Sequence, residues 1–296
     1  MLTEITQFGA NPTGLRMHLY LPARLAVRPA ILVAVHNCTR SGPDFASGPA
    51  AEFVALADRY GYLVIFPTAT RDGTCFDVSS PAALRHDGDS DPAGIVSMIR
   101  HVQSAYRTAS VYVIGLSSGA MMANVLLGCY PDVFAAGAAF AGVPFGGFAT
   151  ESGGWSDECA EGRLIRTPQQ WGDVVRAAFP GYTGARPRVQ LWHSTTDDIL
   201  HYTNLAEAIK QWTDVHGVPG QPARTDHPQP SWRRTRYGHG GIAAVEAISV
   251  TGSPHNVLTT GMAAYTITFF GLARRPEPCG MVPAIPEGNR SRSGER

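Results

Sequence analysis

Apolar residues along this chain form either short continuous runs or longer segments in which they recur at helical spacing. The run at 29–36 is almost wholly apolar, which is typical of a strand buried on both faces of a parallel sheet. The segment 89–106 places its apolar residues on one side of a helix, which predicts an amphipathic helix. Further strands are predicted at 16–21, 62–66, 111–115, 134–140, 188–193 and 243–250, and helices at 49–60, 120–130, 205–215 and 257–272. This alternation predicts an α/β fold, with a mostly parallel sheet covered by helices on both faces.

Three stretches interrupt this alternation. The segment 141–163 is rich in Gly, Phe and Trp, which predicts a long surface loop. The segment 217–231 is polar and holds four prolines, so we predict a loop before the last strand. The segment 273–296, rich in Arg, Pro, Gly and Ser, is predicted to be a disordered tail. Residues 1–272 are then expected to form a single folded domain.

The numbers of acidic and basic residues bear on which classes of binding partner the protein has. The 296 residues include 24 Lys and Arg against 24 Asp and Glu, a formal net charge of zero. Nothing in this balance indicates electrostatic capture of nucleic acid or of an anionic membrane. No apolar run approaches the roughly 18 residues that a membrane-spanning helix needs. The first residues have neither the basic nor the apolar region of a signal peptide, so the protein is cytosolic or its signal peptide has been removed or omitted.

The most informative stretch is Gly115-Leu116-Ser117-Ser118-Gly119. It follows the apolar strand segment 111–114 and precedes the predicted helix, and a Gly-x-Ser-x-Gly turn between strand and helix is the context of a nucleophile elbow. The glycines permit a strained turn that lifts the Ser117 hydroxyl above the sheet edge. Ser117 is therefore the candidate catalytic nucleophile. The alternative is a serine with only a structural role in a turn.

In α/β-hydrolases a carboxylate and then a histidine follow the nucleophile along the chain, each at the end of a strand. Asp197 lies in the turn after the predicted strand 188–193, where Asp198 is its competitor because one of the two could cap the next helix. His255 follows the predicted strand 243–250 and is the candidate base. The other histidines near strand ends or turns, for which structural roles are the simpler interpretation, are His36, His193 and His239.

An oxyanion hole is expected from two backbone amides. One is the N–H of Ser118, next to the nucleophile, and the other comes from the loop 36–39 after an early strand. The alternative for that loop is an ordinary exit from a strand. The chain has no Gly-x-x-x-x-Gly-Lys loop and no His-Glu-x-x-His helix, so we expect chemistry without a cofactor and without a metal ion.

The five cysteines are Cys38, Cys75, Cys129, Cys159 and Cys279. Their spacing matches no zinc site and contains no Cys-x-x-Cys motif. Two interpretations stay open: buried free thiols, or one or two disulfides in a secreted enzyme with one cysteine left over.

Several segments together resemble carbohydrate esterase family 1, and within it the fungal-type acetylxylan esterases, relatives of feruloyl esterases and polyhydroxybutyrate depolymerases. The resemblance runs from about residue 7 to 272. The segments that carry it are 8–13, 33–39, 75–81 with 86–90, 115–122, 190–198 and 255–256. The paired segments 75–81 and 86–90 look like a signature of the acetylxylan branch. The sequence departs from the family pattern at Asn37, where glycine or histidine is usual, and at Ser194, where glycine is usual.

The resemblance implies an α/β-hydrolase fold with Ser117, Asp197 and His255 as the triad and the amides of Cys38 and Ser118 as the oxyanion hole. It places Trp155 beside the acyl pocket, where the alternative is a loop residue packed on the core. It favours a bridge between Cys38 and Cys75. It makes a second bridge at Cys159 doubtful, because Gly147 stands where relatives often carry its partner.

The function implied by the resemblance is a secreted, cofactor-free esterase, acting as a monomer, that removes acetyl groups from acetylated xylan or xylo-oligosaccharides. A larger acyl pocket would favour a feruloyl esterase. A polyester depolymerase is a third possibility, but it would need an exposed apolar surface for polymer adsorption. A carbohydrate-binding module without catalysis is the alternative from another class, against which the intact triad argues.

Overall fold

A computed structural model describes residues 1–150 and 154–273 and contains one ten-stranded sheet. The strands are β1 (Leu2–Ile5), β2 (Arg16–Tyr20), β3 (Ile31–Val35), β4 (Leu63–Thr68), β5 (Val111–Leu116), β6 (Phe134–Phe140), β7 (Arg188–Ser194), β8 (Arg224–Gln229), β9 (Trp232–His239) and β10 (Ile242–Val250). Their order across the sheet is β1-β2-β4-β3-β5-β6-β7-β10-β9-β8. The six strands from β4 to β10 are parallel, and the two strands at each edge pair antiparallel.

Helices cover both faces of this sheet. They are α1 (Gly42–Ser47), α2 (Ala51–Tyr60), α3 (Asp91–Ala105), α4 (Ser118–Cys129), α5 (Asp157–Ala160), α6 (Pro168–Ala178), α7 (Thr203–Val215) and α8 (Met262–Phe270). Side chains alternate across each strand: Ile31 and Val33 join the core under α3, α4, α6 and α7, whereas Leu32 joins the core under α2 and α8. The predicted α/β architecture with a mostly parallel, doubly covered sheet is confirmed.

The prediction of a loop over 217–231 is wrong for its second half. Residues 224–229 form β8, which pairs antiparallel with β9, and neither strand was predicted. Pro228 argued against a strand, because proline cannot donate a backbone hydrogen bond. The structure accommodates it because β8 is an edge strand whose pairing is irregular between Asp226 and Gln229. The guanidinium of Arg234 on β9 donates two hydrogen bonds to the Asp226 carboxylate, which ties the hairpin together.

Helix α6 was also missed, although its start carries a sequence signal. The Thr167 hydroxyl accepts the Gln170 amide N–H while the Gln170 side chain accepts the Thr167 amide N–H, and Pro168 opens the first turn. Residues 141–150 and 154–163 are largely irregular, as predicted, apart from the short α5. The prediction that this loop lies on the surface is wrong for 141–148, because Val143, Phe145 and Phe148 are buried in the core. The tail at 274–296 lies outside the described residues. No helix within 1–150 and 154–273 is long and apolar enough to cross a membrane.

Trp171 on α6 joins that helix to α7. Its indole N–H donates to the Glu207 carboxylate at 2.8 Å, and both side chains are buried. We expect Trp171→Phe to lower the free energy of unfolding by about 1–2 kcal/mol, because a buried carboxylate oxygen loses one of its two donors and keeps only the Arg166 amide N–H at 3.1 Å. Urea unfolding measures this loss. The matched control is Trp155→Phe, which removes an indole bond to Asp157 at an exposed site and should cost less than about 0.5 kcal/mol. Equal losses in the two variants would contradict the buried bond as the cause.

Candidate active site

Ser117 stands at the turn between β5 and α4 in a strained conformation. Its φ of 55° and ψ of −118° are rare for a residue with a side chain. The two flanking glycines make this turn possible. A Cβ at Gly115 would overlap the Gly119 carbonyl, and one at Gly119 would overlap the Val35 carbonyl at the end of β3. The Gly-x-Ser-x-Gly pattern therefore reflects two places where backbone meets backbone.

The structure brings the side chains of Ser117, His255 and Asp197 together. The Ser117 Oγ lies 2.8 Å from His255 Nε2, and His255 Nδ1 lies 2.9 and 2.8 Å from the two carboxylate oxygens of Asp197. Asp197 follows β7 and His255 follows β10, two neighbouring parallel strands whose carboxyl ends meet at the same sheet edge as that of β5. Asp198, the competing carboxylate, is exposed.

Asp197 is a buried carboxylate with several donors. Its Oδ1 accepts the amide N–H groups of Ile199 at 3.0 Å and Leu200 at 2.8 Å, and its Oδ2 lies 3.3 Å from His193 Nε2. Burial alone would raise its pKa, but hydrogen bonds from His193, His255 and the Leu200 amide outweigh burial and hold the pKa well below its usual range. An ionised Asp197 keeps the His255 proton on Nδ1, which leaves Nε2 free to accept from Ser117.

The other candidate histidines have different partners. His193 is buried beside Asp197 and also binds the Leu200 carbonyl at 2.8 Å, so it belongs to the support of the carboxylate. His36 accepts the Ala69 amide N–H through Nε2 at 3.2 Å, and burial lowers its pKa. His239 is exposed at the end of β9.

Two hydroxyls join the loop of Asp197 to the loop of His255. Ser194 Oγ and Thr196 Oγ1 both donate to the Ser253 carbonyl, the latter at 2.8 Å. Ser194 is fully buried. The departure from glycine at position 194 thus supplies a hydrogen bond between loops that lie about sixty residues apart, which no local pattern could reveal.

The loop after β3 carries Cys38, which forms a disulfide with Cys75. The bridge expected from the resemblance is therefore present. The two chain segments are also joined by a hydrogen bond from the Thr39 amide to the Gly73 carbonyl at 2.8 Å. On the elbow side, Ser118 Oγ accepts the Phe76 amide N–H at 3.0 Å. The disulfide segment is thus attached to both the loop after β3 and the start of α4.

The paired segments 75–81 and 86–90 surround two carboxylates. Asp77 accepts hydrogen bonds from the hydroxyls of Ser80 and Ser90, both at 2.6 Å. The carboxylate of Asp91 is completely buried. It accepts hydrogen bonds from the two terminal guanidinium nitrogens of Arg71, at 2.6 and 2.7 Å, and from the Asp77 amide N–H. This polar frame fixes the chain beside the disulfide.

A cleft of about 260 Å³ opens beside the Ser117 hydroxyl. Cys38 and Ser118 line it together with Ser117, so the two residues expected to provide oxyanion amides lie in one cavity with the nucleophile candidate. Trp155 lies at this cleft with 57% of its surface exposed, in an edge-to-face contact with Phe148 at 5.1 Å. The remaining apolar side chains of the lining are Phe76, Val78, Met121, Ile199 and Leu200.

Cys159 lies elsewhere, as a buried free thiol on α5 that contacts α7. Its Sγ is 3.4 Å from Asn204 Oδ1, and a Cβ at Gly147 would lie 2.7 Å from that Sγ. The doubt about a second bridge is confirmed at this position. In the described part of the chain no group of three or more His, Cys, Asp or Glu side chains is arranged to hold a metal ion.

The depressed pKa of Asp197 predicts how stability depends on pH. Because the folded-state pKa lies below the unfolded one, ionised Asp197 stabilises the fold above about pH 4, and this contribution is lost as pH falls further. We expect the unfolding free energy of wild type to fall faster than that of Asp197→Asn between about pH 5 and pH 2. Urea unfolding at each pH measures the difference. Asp198→Asn, changed at an exposed position, should follow wild type, and parallel curves for wild type and Asp197→Asn would refute the assignment.

Comparison with known proteins places this geometry in a family. A model of the family described as Esterase PHB depolymerase matches residues 15–154. The chain is 41% identical over 277 residues to feruloyl esterase B of Talaromyces stipitatus, covering 92% of this chain and 76% of that protein. It is 40% identical over 264 residues to acetylxylan esterase A of Aspergillus ficuum, covering 86% of this chain and 85% of that protein.

A solved structure agrees with these relatives. The acetyl xylan esterase from Aspergillus awamori superimposes with a TM-score of 0.87 at 37% identity, covering 92% of this chain and all of that chain. The central sheet and its helices are therefore those of an α/β hydrolase. The chain belongs to carbohydrate esterase family 1, the family of carboxylic ester hydrolases that includes acetylxylan and feruloyl esterases.

Proposed function

We propose that this protein is a serine esterase that removes acetyl groups from acetylated xylan, with Ser117 as nucleophile, His255 as base and Asp197 as the group that orients it. The observation that carries the proposal is the continuous set of hydrogen bonds from Ser117 Oγ through the His255 ring to Asp197, at the wall of an open cleft. Relatives named for the same activity, at about 40% identity, support the choice of substrate.

In the acylation step the Ser117 Oγ attacks the carbonyl carbon of the acetyl ester while His255 Nε2 takes the hydroxyl proton. The negative charge that develops on the carbonyl oxygen is stabilised by the amide N–H groups of Cys38 and Ser118. Ser118 is the first residue of α4, so its N–H has no acceptor in the helix and carries the positive end of the helix dipole. Collapse of the intermediate breaks the bond to the xylose oxygen, which leaves as an alcohol with the proton from His255.

In the second step a water molecule attacks the acetyl group on Ser117. His255 takes a proton from this water, and the same two amides stabilise the second oxyanion. Acetate leaves as the Ser117 oxygen takes the proton back from His255, so the enzyme returns to its starting state. Asp197 stays ionised throughout and stabilises the imidazolium that forms in each step. All groups in this cycle are protein side chains, backbone amides and water.

A feruloyl esterase is the second candidate. The cleft volume of about 260 Å³ and its aromatic lining residues Phe76, Phe148 and Trp155 favour it, because an acetyl group alone does not require such a surface. We assign Trp155 a substrate-binding role in either case, since its exposed ring offers a flat apolar face beside Ser117.

We further propose that residues 1–272 act as one catalytic domain, as a monomer and outside the cell. The disulfide between Cys38 and Cys75 supports an extracellular location, because such bonds persist in oxidising compartments.

The first test measures acetate released from acetylated xylan and ferulate released from methyl ferulate. We expect wild type to release mainly acetate and Ser117→Ala to lose at least about 10⁴-fold of this rate, because the nucleophile is gone. The melting temperature of Ser117→Ala, which should stay close to that of wild type, is the control for folding of the elbow. Ferulate release far above acetate release would move the assignment to feruloyl esterase. Full activity of Ser117→Ala would overturn the mechanism.

The second test separates the two neighbouring carboxylates. We expect Asp197→Asn to lower kcat on p-nitrophenyl acetate by about 10³–10⁴-fold, because the amide no longer fixes the His255 tautomer. Asp198→Asn makes the same chemical change one residue along, at an exposed position, and should keep wild-type kcat. A large loss of kcat in Asp198→Asn, with little loss in Asp197→Asn, would show that Asp198 and not Asp197 orients His255.

A further inference from the structure

The disulfide between Cys38 and Cys75 lies in the wall of the cleft that contains Ser117. Cys38 therefore has two roles in the site: its side chain is half of the bridge, and its backbone N–H is the proposed oxyanion donor. The partner segment is firmly held, because Arg71 donates to the Cys75 carbonyl at 2.9 Å while bound to buried Asp91. The bridge thus connects the loop after β3 to a rigid support.

The loop that carries Cys38 does not follow its local conformational preference. Thr39 has a φ of 61° and Thr74, in the facing segment, a φ of 48°. β-Branched residues disfavour this left-handed region, so other contacts must hold them in it. Besides the disulfide, the two segments share the Thr39 amide bond to Gly73 and a bond from the Thr74 hydroxyl to the Arg40 carbonyl. Both threonines are at least partly exposed, so water competes for these two bonds.

We propose that the Cys38–Cys75 disulfide is the positioning element of the oxyanion loop, so that reducing it lowers turnover while the protein stays folded. The inference rests on the proposed function, since it requires the Cys38 amide to act on the oxyanion. Removing the bridge leaves Thr39 free to relax towards negative φ, and rotation about its φ and ψ reorients the peptides around Cys38. Ser117, His255 and Asp197 are held by contacts of their own and keep their arrangement.

The chemistry is an ordinary thiol–disulfide exchange with a dithiol reductant. One thiolate of the reductant attacks a sulfur of the bridge, forms a mixed disulfide and releases the other cysteine as a thiolate. The second thiol of the reductant then attacks the mixed disulfide and releases the remaining cysteine. Two electrons and two protons pass to Cys38 and Cys75, which become thiols, and the dithiol becomes a cyclic disulfide. Oxidation by the cyclic or another small disulfide reverses the step.

The bridge is the reactive sulfur pair of the described chain. Cys38 and Cys75 are both partly exposed at an open cleft, so a small thiol can reach them. Cys129 and Cys159 are buried free thiols. Burial raises the pKa of Cys159 to about 12 and that of Cys129 as well, so neither forms a thiolate at neutral pH.

The experiment treats wild type with a dithiol under native conditions and removes the dithiol without air. One portion is assayed as the free dithiol protein, and a second portion is blocked with iodoacetamide so that adducts are counted by mass. We expect two more adducts than in the untreated protein and a fall in kcat of about 10- to 100-fold on p-nitrophenyl acetate, with KM changed less than about twofold, because an oxyanion donor contributes about 10²–10³-fold to kcat. Affinity for a boronic acid that forms a tetrahedral adduct on Ser117 should fall with kcat. Removing the dithiol before alkylation and reoxidising should restore both.

Two variants test the same inference without a reductant. Cys75→Ser removes the bridge but keeps the Cys38 amide, and should show the same fall in kcat at 25 °C while its melting temperature stays above the assay temperature. Adding Thr39→Gly should recover part of that kcat, because glycine adopts a positive φ without strain. In wild type Thr39→Gly should change little. A bridge that only stabilises the fold would lower the melting temperature but leave kcat unchanged.

The outcomes separate this inference from the proposed function. If the two new adducts form and kcat stays within about twofold of wild type while Ser117→Ala is inactive, the serine mechanism stands and the positioning role is refuted. If Ser117→Ala is fully active, the proposed function fails first. If Cys75→Ser does not fold, the reversible reduction of wild type decides the matter.

Discussion

The start of α4 approaches the end of β3 so closely that no side chain fits between them. A Cβ on Gly119 would overlap the Val35 carbonyl, and one on Gly115 would overlap the next turn of backbone. This close contact between the two backbones determines the geometry of the site. It accompanies the positive φ of Ser117, and it brings the loop after β3, through Cys38, to the same cleft as the first residue of α4. The strain at Ser117 is sustained by the rigid strands on either side, because β3 and β5 are completely buried.

A second constraint is electrostatic. Asp197 is a charge without access to water, and such a charge destabilises a fold unless hydrogen bonds replace its hydration. Two backbone amides and two imidazoles do so, and one of these imidazoles belongs to His255. The bond that orients the His255 ring is thus also one of the bonds that keep the buried carboxylate stable. One contact therefore serves both the stability of the fold and the orientation of the imidazole.

The sequence predicted where Ser117, Asp197 and His255 lie because each position is marked locally: a buried strand ends and a polar or glycine-rich turn begins. It could not show what joins those turns. His193 is only four residues from Asp197, but the contact between them depends on the path that residues 197–200 take. The Ser194 hydroxyl bonds to the Ser253 carbonyl, which follows a different strand. The Cys38–Cys75 pair was expected through family resemblance, since spacing alone allows many pairings. Helix α6 lacks a strong apolar run, although its capping residues at Thr167 and Gln170 were visible.

Strand β8 also escaped prediction, and the reason bears on how the molecule behaves at high concentration. The outer edge of a sheet offers unpaired backbone groups on which another chain can add a strand. Here that edge is only six residues long, contains Pro228, and carries Arg224 and Asp226. Proline removes a donor from the free edge, and the charges would have to lose their hydration for a second sheet to dock. The residues that make β8 look like a loop are those that discourage the sheet from growing into a fibre.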